Sequence, residues 1–154
     1  MAVFQVSGRS TLVTATAAAA LAAFKAVTRP AYIREIKIFG VTAPTTSGGL
    51  GLLFSTAVGT GALTSIAPVG RLRNPLASAS LGVTAWATLA PTNAGVGAIF
   101  ERWAAPATLG NGIIWSFGEE PIEVLPGVAT SELCIVNTLA TAPGTFDFVF
   151  TFVE

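Results

Sequence analysis

The sequence contains no histidine, a single cysteine, and equal, small numbers of basic and acidic residues, eight of each in 154 positions. Without histidine the chain cannot build a Ser-His-Asp or Cys-His nucleophile, a His-ligated metal site or an imidazole base. A single cysteine excludes an internal disulfide and a cysteine-based zinc site. These absences remove most routes to catalysis, so we expect a protein that is not an enzyme and that needs no cofactor.

Charge is scarce as well as balanced. Charged residues make up 10% of the chain, against about 25% in ordinary soluble domains. Phosphate binding needs several Lys or Arg side chains in one footprint, and only Arg71 and Arg73 stand close together, so no nucleic-acid partner is expected. With 52% hydrophobic residues, a monomer would expose apolar patches of the kind that mark interfaces. We therefore expect an assembled protein.

The only acidic cluster is Glu119 and Glu120 in the segment FGEEPIE. Two carboxylates can serve glycoside hydrolysis or hold Ca²⁺, but adjacent residues of a turn point apart. The segment is better interpreted as a solvated hairpin turn, and no metal site is expected. Residues 38–70 carry no charge, yet Pro44 and Pro68 interrupt them before an apolar run reaches membrane-spanning length. No membrane partner is predicted.

Short apolar or alternating runs recur along the chain, separated by segments such as TAPTTSGG, PTNAG and TAPG. Glycine supplies positive φ, proline presets φ, and Asn or Thr bonds to nearby backbone, so these segments predict turns. Many short strands between such turns are typical of an all-β sandwich or barrel. The predicted strands are Val3–Val6, Thr11–Thr14, Tyr32–Val41, Leu50–Ala57, Leu81–Leu89, Gly97–Ala104, Ile113–Phe117, Ile122–Leu125, Glu132–Leu139 and Thr145–Val153.

The last predicted strand shows its alternation most clearly, with phenylalanine at every second position from 146 to 152. Successive side chains of a strand point to opposite faces, so the four rings are predicted to lie in the core. The opposite face carries Asp147, Val149, Thr151 and Val153. One charge among four residues is little for a surface in contact with water, and a neighbouring molecule is the expected cover.

The alanine-rich segment ATAAAALAAFKAV, residues 15–27, does not follow this pattern. Alanine has a high helix propensity, and Leu21, Phe24 and Lys25 would lie along one helical stripe. A close-packed strand or an arm crossing a neighbouring subunit is the alternative. We favour a short helix or an irregular connector. Thr28-Arg29-Pro30 ends the segment under either alternative, because the residue before a proline is pushed out of the helical region. Residues 1–30 are thus an N-terminal strand or arm region of a single domain that spans residues 1–154.

Several predicted strands mix aromatic residues and arginine with aliphatic residues on both faces, and such residues are enriched at protein interfaces. Ordinary sheet exteriors with a few exposed aromatics are the alternative, but the shortage of charge favours an interface. The candidate assembly residues are Tyr32, Arg34, Trp86, Arg102, Trp103, Asp147, Val149 and Val153.

Three segments together resemble small structural proteins of tailed bacteriophages: RPAYIREIKIFG near residue 30, NGIIWSFGEEPIEVLPG at residues 111–127, and the LCIVN that follows. A last strand ending in an acidic residue, Glu154, completes the pattern, which extends from Arg29 to the end. The resemblance implies a jelly-roll β-sandwich that assembles as a trimer, and several proteins of this group are capsid decoration or cement proteins. It brings no catalytic residues. In a trimer, Asp147 or Glu154 is expected to pair with Arg34 or Arg102 of a neighbour.

Two functions follow as expectations. The first is a virion structural protein, made in the host cytoplasm, that binds the major capsid protein on the capsid surface as a homotrimer. The second is a β-sandwich binding module of a tail, a baseplate or a host-surface or glycan-recognition component, displaying Trp86, Trp103 or the PTNAG loop. Glycan recognition favours aromatic residues flanked by Asp, Asn and Glu, and the chain has a single Asp, so the first function is preferred.

Overall fold

The computed structural model describes residues 2–10, 20–42, 48–57, 63–70, 80–86, 92–93, 99–127, 132–139, 141 and 144–154. These residues form thirteen β-strands and no helix. The strands are β1 (Val3–Arg9), β2 (Ala20–Ala26), β3 (Ala31–Gly40), β4 (Gly48–Ala57), β5 (Leu63–Ile66), β6 (Val69–Gly70), β7 (Ser80–Trp86), β8 (Thr92–Asn93), β9 (Glu101–Ala105), β10 (Gly112–Ser116), β11 (Ile122–Val124), β12 (Leu133–Asn137) and β13 (Phe146–Val153).

The strands form two sheets, which pack face to face as a β-sandwich. The first sheet has the order β10-β3-β13-β1-β6, and β11 continues beside β3. The second has the order β5-β7-β2-β12-β4-β8, and β9 also pairs with β4. Every strand pair is antiparallel. The predicted all-β antiparallel sandwich is confirmed.

The strand order is that of a jelly roll. Eight strands pair in a nested series, the first with the last and so inwards: β1 with β13, β2 with β12, β3 with β10, and β4 with β9. This double ribbon is rolled so that β13 also pairs with β3 and β12 with β4. Nesting and rolling of this kind produce the two sheets of a jelly roll. Strands β5 to β8 lie between β4 and β9, and β6 and β7 extend the two sheets beside β1 and β2.

The core lies between the sheets and is rich in aromatic rings. Phe146, Phe148, Phe150 and Phe152 are all buried, as the alternation predicts. Phe24 from the second sheet packs against Phe150 and Phe152, with ring centroids 5.6 and 4.7 Å apart. Because β13 pairs on both sides and β2 lies opposite it, these rings bring the two sheets together across the centre of the sandwich.

The prediction of a short helix or an irregular connector in the alanine-rich segment is wrong for Ala20–Ala26, which is strand β2. It pairs with β12 on one side and β7 on the other. Small side chains allow close packing on both faces: Phe24 points into the core, while Ala20 and Ala23 pack on the opposite face. Burial in a sheet therefore overrides the helix propensity of alanine. The N-terminal strand β1 also belongs to the first sheet, between β13 and β6, rather than to an arm.

Most other predicted strands are found within a few residues of their expected bounds. The predicted strand at Gly97–Ala104 begins only at Glu101, and the short strands β5, β6 and β8 were not predicted. Thr11–Thr14 lies outside the described residues. The turn at Glu119 and Glu120 is present, and the amide of Glu120 donates to the carbonyl of Phe117 at 2.9 Å. It is not the predicted hairpin, because β10 and β11 both pair antiparallel with β3 and therefore run in the same direction.

The second sheet is buried on both faces in its central strands. All five residues of β12 are buried. On the face turned away from the main core, a second apolar cluster of Ala20, Ala23, Leu53, Cys134 and Val136 is buried, and Ile99 packs against it. Cys134 is a free, buried thiol, and burial raises its pKa. This agrees with the interpretation of the cysteine as a small core residue.

Candidate interaction surface

The outward-facing side chains of the first sheet form one continuous surface, here called the outer face. Strands β1, β13, β3 and β10 pair in register, so the outward residues fall into four cross-strand rows. In order along the strands, the rows are Val3-Val153-Tyr32, Gln5-Thr151-Glu35-Ser116, Ser7-Val149-Lys37-Ile114 and Arg9-Asp147-Phe39-Gly112. Strand β11 adds Glu123 beside Tyr32.

Five of the eight candidate assembly residues come together at this sheet. Tyr32, Val149 and Asp147 lie on the outer face, and so does Val153, although it is only 8% exposed. Arg34 occupies the irregular position where β3 shifts register against β13. The other three belong to the second sheet: Trp86 ends β7, and Arg102 and Trp103 lie in β9. The Trp103 ring is part-buried against the core and meets Phe146 edge-on, with centroids 6.2 Å apart.

Charged side chains at this sheet are paired within the chain. Arg9 Nε donates to Asp147 Oδ1 at 2.6 Å, and Nη2 donates to Oδ2 at 2.9 Å. This hydrogen bond lowers the pKa of Asp147 and raises that of Arg9. Within the chain, the partner of Asp147 is therefore Arg9, because the register places Arg9 opposite Asp147.

The remaining polar side chains of this sheet also have partners within the chain. Lys37 Nζ lies 3.1 Å from Glu35 Oε1. A hydrogen bond to Glu123 raises the pKa of Tyr32, and Arg34 Nη1 donates to the carbonyl of Gly118 at 2.5 Å. Each of these side chains thus has a neutralising or hydrogen-bonding partner at hand, which reduces the cost of covering the surface with another molecule.

Exposed apolar side chains lie between these pairs. Phe39 is 43% exposed and Ile114 is 54% exposed. They are diagonal neighbours across β3 and β10, and Val149 lies in the same row as Ile114. The Phe39 ring lies against Gly112, where a Cβ atom would come within 2.6 Å of the ring. Beside Val149, the backbone of Ser7 and Gly8 borders an open hollow of about 360 Å³.

Phe39, Ile114 and the Arg9 partner of Asp147 are not among the residues predicted from the sequence. A signal for Ile114 exists, because two consecutive isoleucines in a strand must point to opposite faces, and only one can enter the core. Ile113 is the inward residue. Arg9 carries no such local signal, since its partner is 138 positions away in the chain.

A second polar site lies in the second sheet, where Glu132 is only 3% exposed. Its Oε1 atom is 3.3 Å from Lys25 Nζ, and its Oε2 atom has no hydrogen-bond partner. Burial raises the pKa of Glu132, and Lys25 acts against that shift. The neighbouring Ser55 hydroxyl is also buried without a partner. The site is built by register, because the Ser55 amide donates to the Glu132 carbonyl at 2.9 Å.

Within the ranges described above, no group of three or more His, Cys, Asp or Glu residues is placed to hold a metal ion. Nor does the described part of the chain contain a helix of sufficient length and apolar character to cross a membrane. No protein-family model, curated protein or solved structure matches this chain.

Proposed function

We propose that this chain is a non-enzymatic structural protein of a bacteriophage virion that binds the capsid surface as a homotrimer. The observation that carries the proposal is the outer face, a sheet surface where apolar side chains are exposed and the neighbouring charged side chains have ion-pair or hydrogen-bond partners within the chain. Such a surface is suited to burial against protein, since few unpaired charges must be desolvated. The jelly-roll order of the strands and the resemblance of residues 29–154 to small phage proteins add support.

The proposed mechanism is stabilisation by linkage. A protein that binds the assembled shell, and not its dispersed subunits, shifts the equilibrium towards the shell in proportion to its affinity. The contacts would come from buried area rather than from covalent chemistry or a cofactor. The partner is the major capsid protein, and neither nucleic acid nor a membrane takes part.

In the trimer, each copy buries part of its outer face against the next. A cyclic arrangement of three copies joins two different patches of the same chain, and this face offers both a projection and a depression. Phe39 projects from β3, and the hollow at Ser7 and Val149 lies on the side of β1.

The trimer is tested by introducing a charge at its centre. Val149→Lys places a lysine beside Lys37 on the outer face, where it remains solvated in a monomer but is desolvated in an assembly. The wild-type mass in light scattering after size exclusion is expected near three times 15.6 kDa or a multiple of that mass, and the mass of the variant is expected near one third of the wild-type mass. Val27→Lys, at an exposed position directly after β2, is the control and should keep the wild-type mass. A Val149→Lys protein with the wild-type mass would refute the role of this face.

Shell binding is tested separately. Empty head shells, assembled from the major capsid protein of the phage whose genome carries this sequence, are sedimented with and without the purified protein and then heated. Co-sedimentation and a higher shell disruption temperature are expected. Absence of binding by the wild-type oligomer at micromolar concentration would contradict the capsid role, whatever its oligomeric state.

A further inference from the structure

Strand β10 forms an open edge of the first sheet. It pairs with β3 on one side and stands last in the strand order. The amide of Gly40 donates to the carbonyl of Asn111, and the amide of Phe117 donates to the carbonyl of Arg34. Antiparallel strands alternate between hydrogen-bonded and non-hydrogen-bonded pairs, so the odd-numbered residues from 111 to 117 bond to β3. The N–H and C=O groups of Gly112, Ile114 and Ser116 therefore point away from the sheet.

This edge lacks the protection that edge strands usually carry. Proteins guard such strands with lysine, proline, inward-pointing charges or a covering segment. The sequence of β10, GIIWS, contains neither a charge nor a proline. Gly112, Ile114 and Ser116 are all exposed, and no strand among the described residues pairs with this side of β10. The edge thus offers three residues with free backbone donors and acceptors around an exposed isoleucine.

We propose that β10 pairs with β10 of a second copy of this chain, antiparallel about a two-fold axis at Ile114. The outward-bonding residues are placed symmetrically about that position, so Gly112 meets Ser116 of the second copy and the two Ile114 residues face each other. The three residue pairs would form about six backbone hydrogen bonds and continue the first sheet across the axis. The pairing goes beyond the proposed function and does not depend on it.

Side chains along the new pairing favour a second copy as the occupant. The two Ile114 side chains meet on the outer face with Phe39 as the diagonal neighbour, which adds apolar contact. The small Gly112 and Ser116 oppose each other without a clash. Charges do not oppose the pairing either. Lys37 of each copy lies in the row of Ile114, and three strand spacings of ~4.8 Å separate the two lysines by ~14 Å. That distance exceeds the screening length of ~8 Å at physiological salt.

The acidic turn after β10 is also accommodated. In an antiparallel pairing, Glu119 and Glu120 of one copy approach the segment before β10 of the other copy. That segment, residues 106–111, carries no charge, and its exposed Leu109 offers further apolar surface. Like charges are therefore kept apart at both ends of the paired strands.

Proline substitution tests the backbone pairing directly. Ile114→Pro removes an N–H that points away from β3, so the ladder between β3 and β10 stays intact while the new pairing loses its central donor. Ile114→Ala keeps the N–H. In light scattering at equal concentration, we expect the wild type and Ile114→Ala to have an even number of subunits and Ile114→Pro to have half the wild-type mass. A wild type with an odd number of subunits from micromolar to millimolar concentration, or an Ile114→Pro protein of unchanged mass, would overturn the pairing.

A second variant covers the case in which Ile114→Pro does not fold. Ile114→Lys keeps the backbone and sits on an exposed position, but it sets two lysines directly opposite each other across the axis. It should halve the mass, and amide exchange at residue 114 should become independent of protein concentration. In the wild type, protection of the residue 114 amide should rise with protein concentration. Protection that stays constant would contradict the pairing. Val149→Lys separates this inference from the trimer, because the substitution does not alter β10. If it disrupts the trimer contact, the two-fold pair through β10 should remain.

Discussion

The two sheets of this sandwich differ in what covers the face turned away from the core. On the first sheet, Phe39 and Ile114 are exposed, and charges such as Arg9 and Asp147 are paired at the surface. On the second, the corresponding face carries small apolar residues that are fully buried. Both sheets are rich in aliphatic residues, but only the second sheet has the face turned away from the core buried within the same chain.

The ion pairs reflect the same difference. The side chains of Arg9 and Asp147 are 58% and 43% exposed, whereas Glu132, paired with Lys25, has a side chain that is only 4% exposed. An exposed pair gains little, because water already solvates both groups. A buried carboxylate is costly unless each oxygen is bonded, and one oxygen of Glu132 is not. The pairs are therefore expected to respond differently to pH.

The largest loss of stability is expected from a charge on the buried face of the second sheet that is turned away from the core, here called the closed face. Ala23 is buried in the second cluster, and Ala23→Lys would place an ammonium group among Leu53, Cys134 and Val136. Burial of an unpaired charge is among the few changes that cost about 4 kcal/mol or more. We expect little folded protein, measured by circular dichroism and urea denaturation. Val149→Lys on the first sheet is the matched control and should stay folded, losing only the stability that assembly contributes, with a urea midpoint well above that of Ala23→Lys. Equal midpoints for the two variants would refute the difference between the faces.

An intermediate effect on stability is expected from substitution of Glu132. Its pKa is higher in the folded protein than in the unfolded chain, because burial disfavours the charged form. The folded state therefore holds this proton more tightly, and the associated stability is present at low pH and is lost as pH rises through the folded pKa. Glu132→Gln, which cannot ionise, should become more stable relative to the wild type as pH increases above the ordinary glutamate range. A difference in urea midpoint that does not change with pH would contradict this.

The smallest effect on stability is expected from substitution of Asp147. Its pKa is lowered by the hydrogen bond from Arg9, so its contribution is present above the unfolded pKa and is lost as pH falls through the folded value. Asp147→Asn should leave the urea midpoint almost unchanged at neutral pH, because both groups of the pair are exposed. Any small difference from the wild type should vanish in acid and shrink with added salt. A large loss at neutral pH would mean that the outer face resembles the closed face more than the structure indicates.

Local pattern alone determined the class of this fold and much of its core. The alternation of phenylalanine from 146 to 152 predicted an inward face, because side-chain direction in a strand depends only on position along it. Turn residues placed most of the strands for the same reason. The shortage of charge predicted apolar surface, and Phe39 and Ile114 supply it on one sheet.

Tertiary structure decided everything that depends on which strands become neighbours. Alanine in β2 takes a strand conformation because two partner strands and a closed face surround it, which outweighs a helix propensity of a few tenths of a kcal/mol per residue. Register joins Arg9 to Asp147 and Lys25 to Glu132, and no local pattern encodes a partner so distant in sequence. The open edge at β10 likewise exists because β10 is the last strand of the first sheet. Whether a strand lies at an edge depends on its neighbours in the sheet and not on its own sequence.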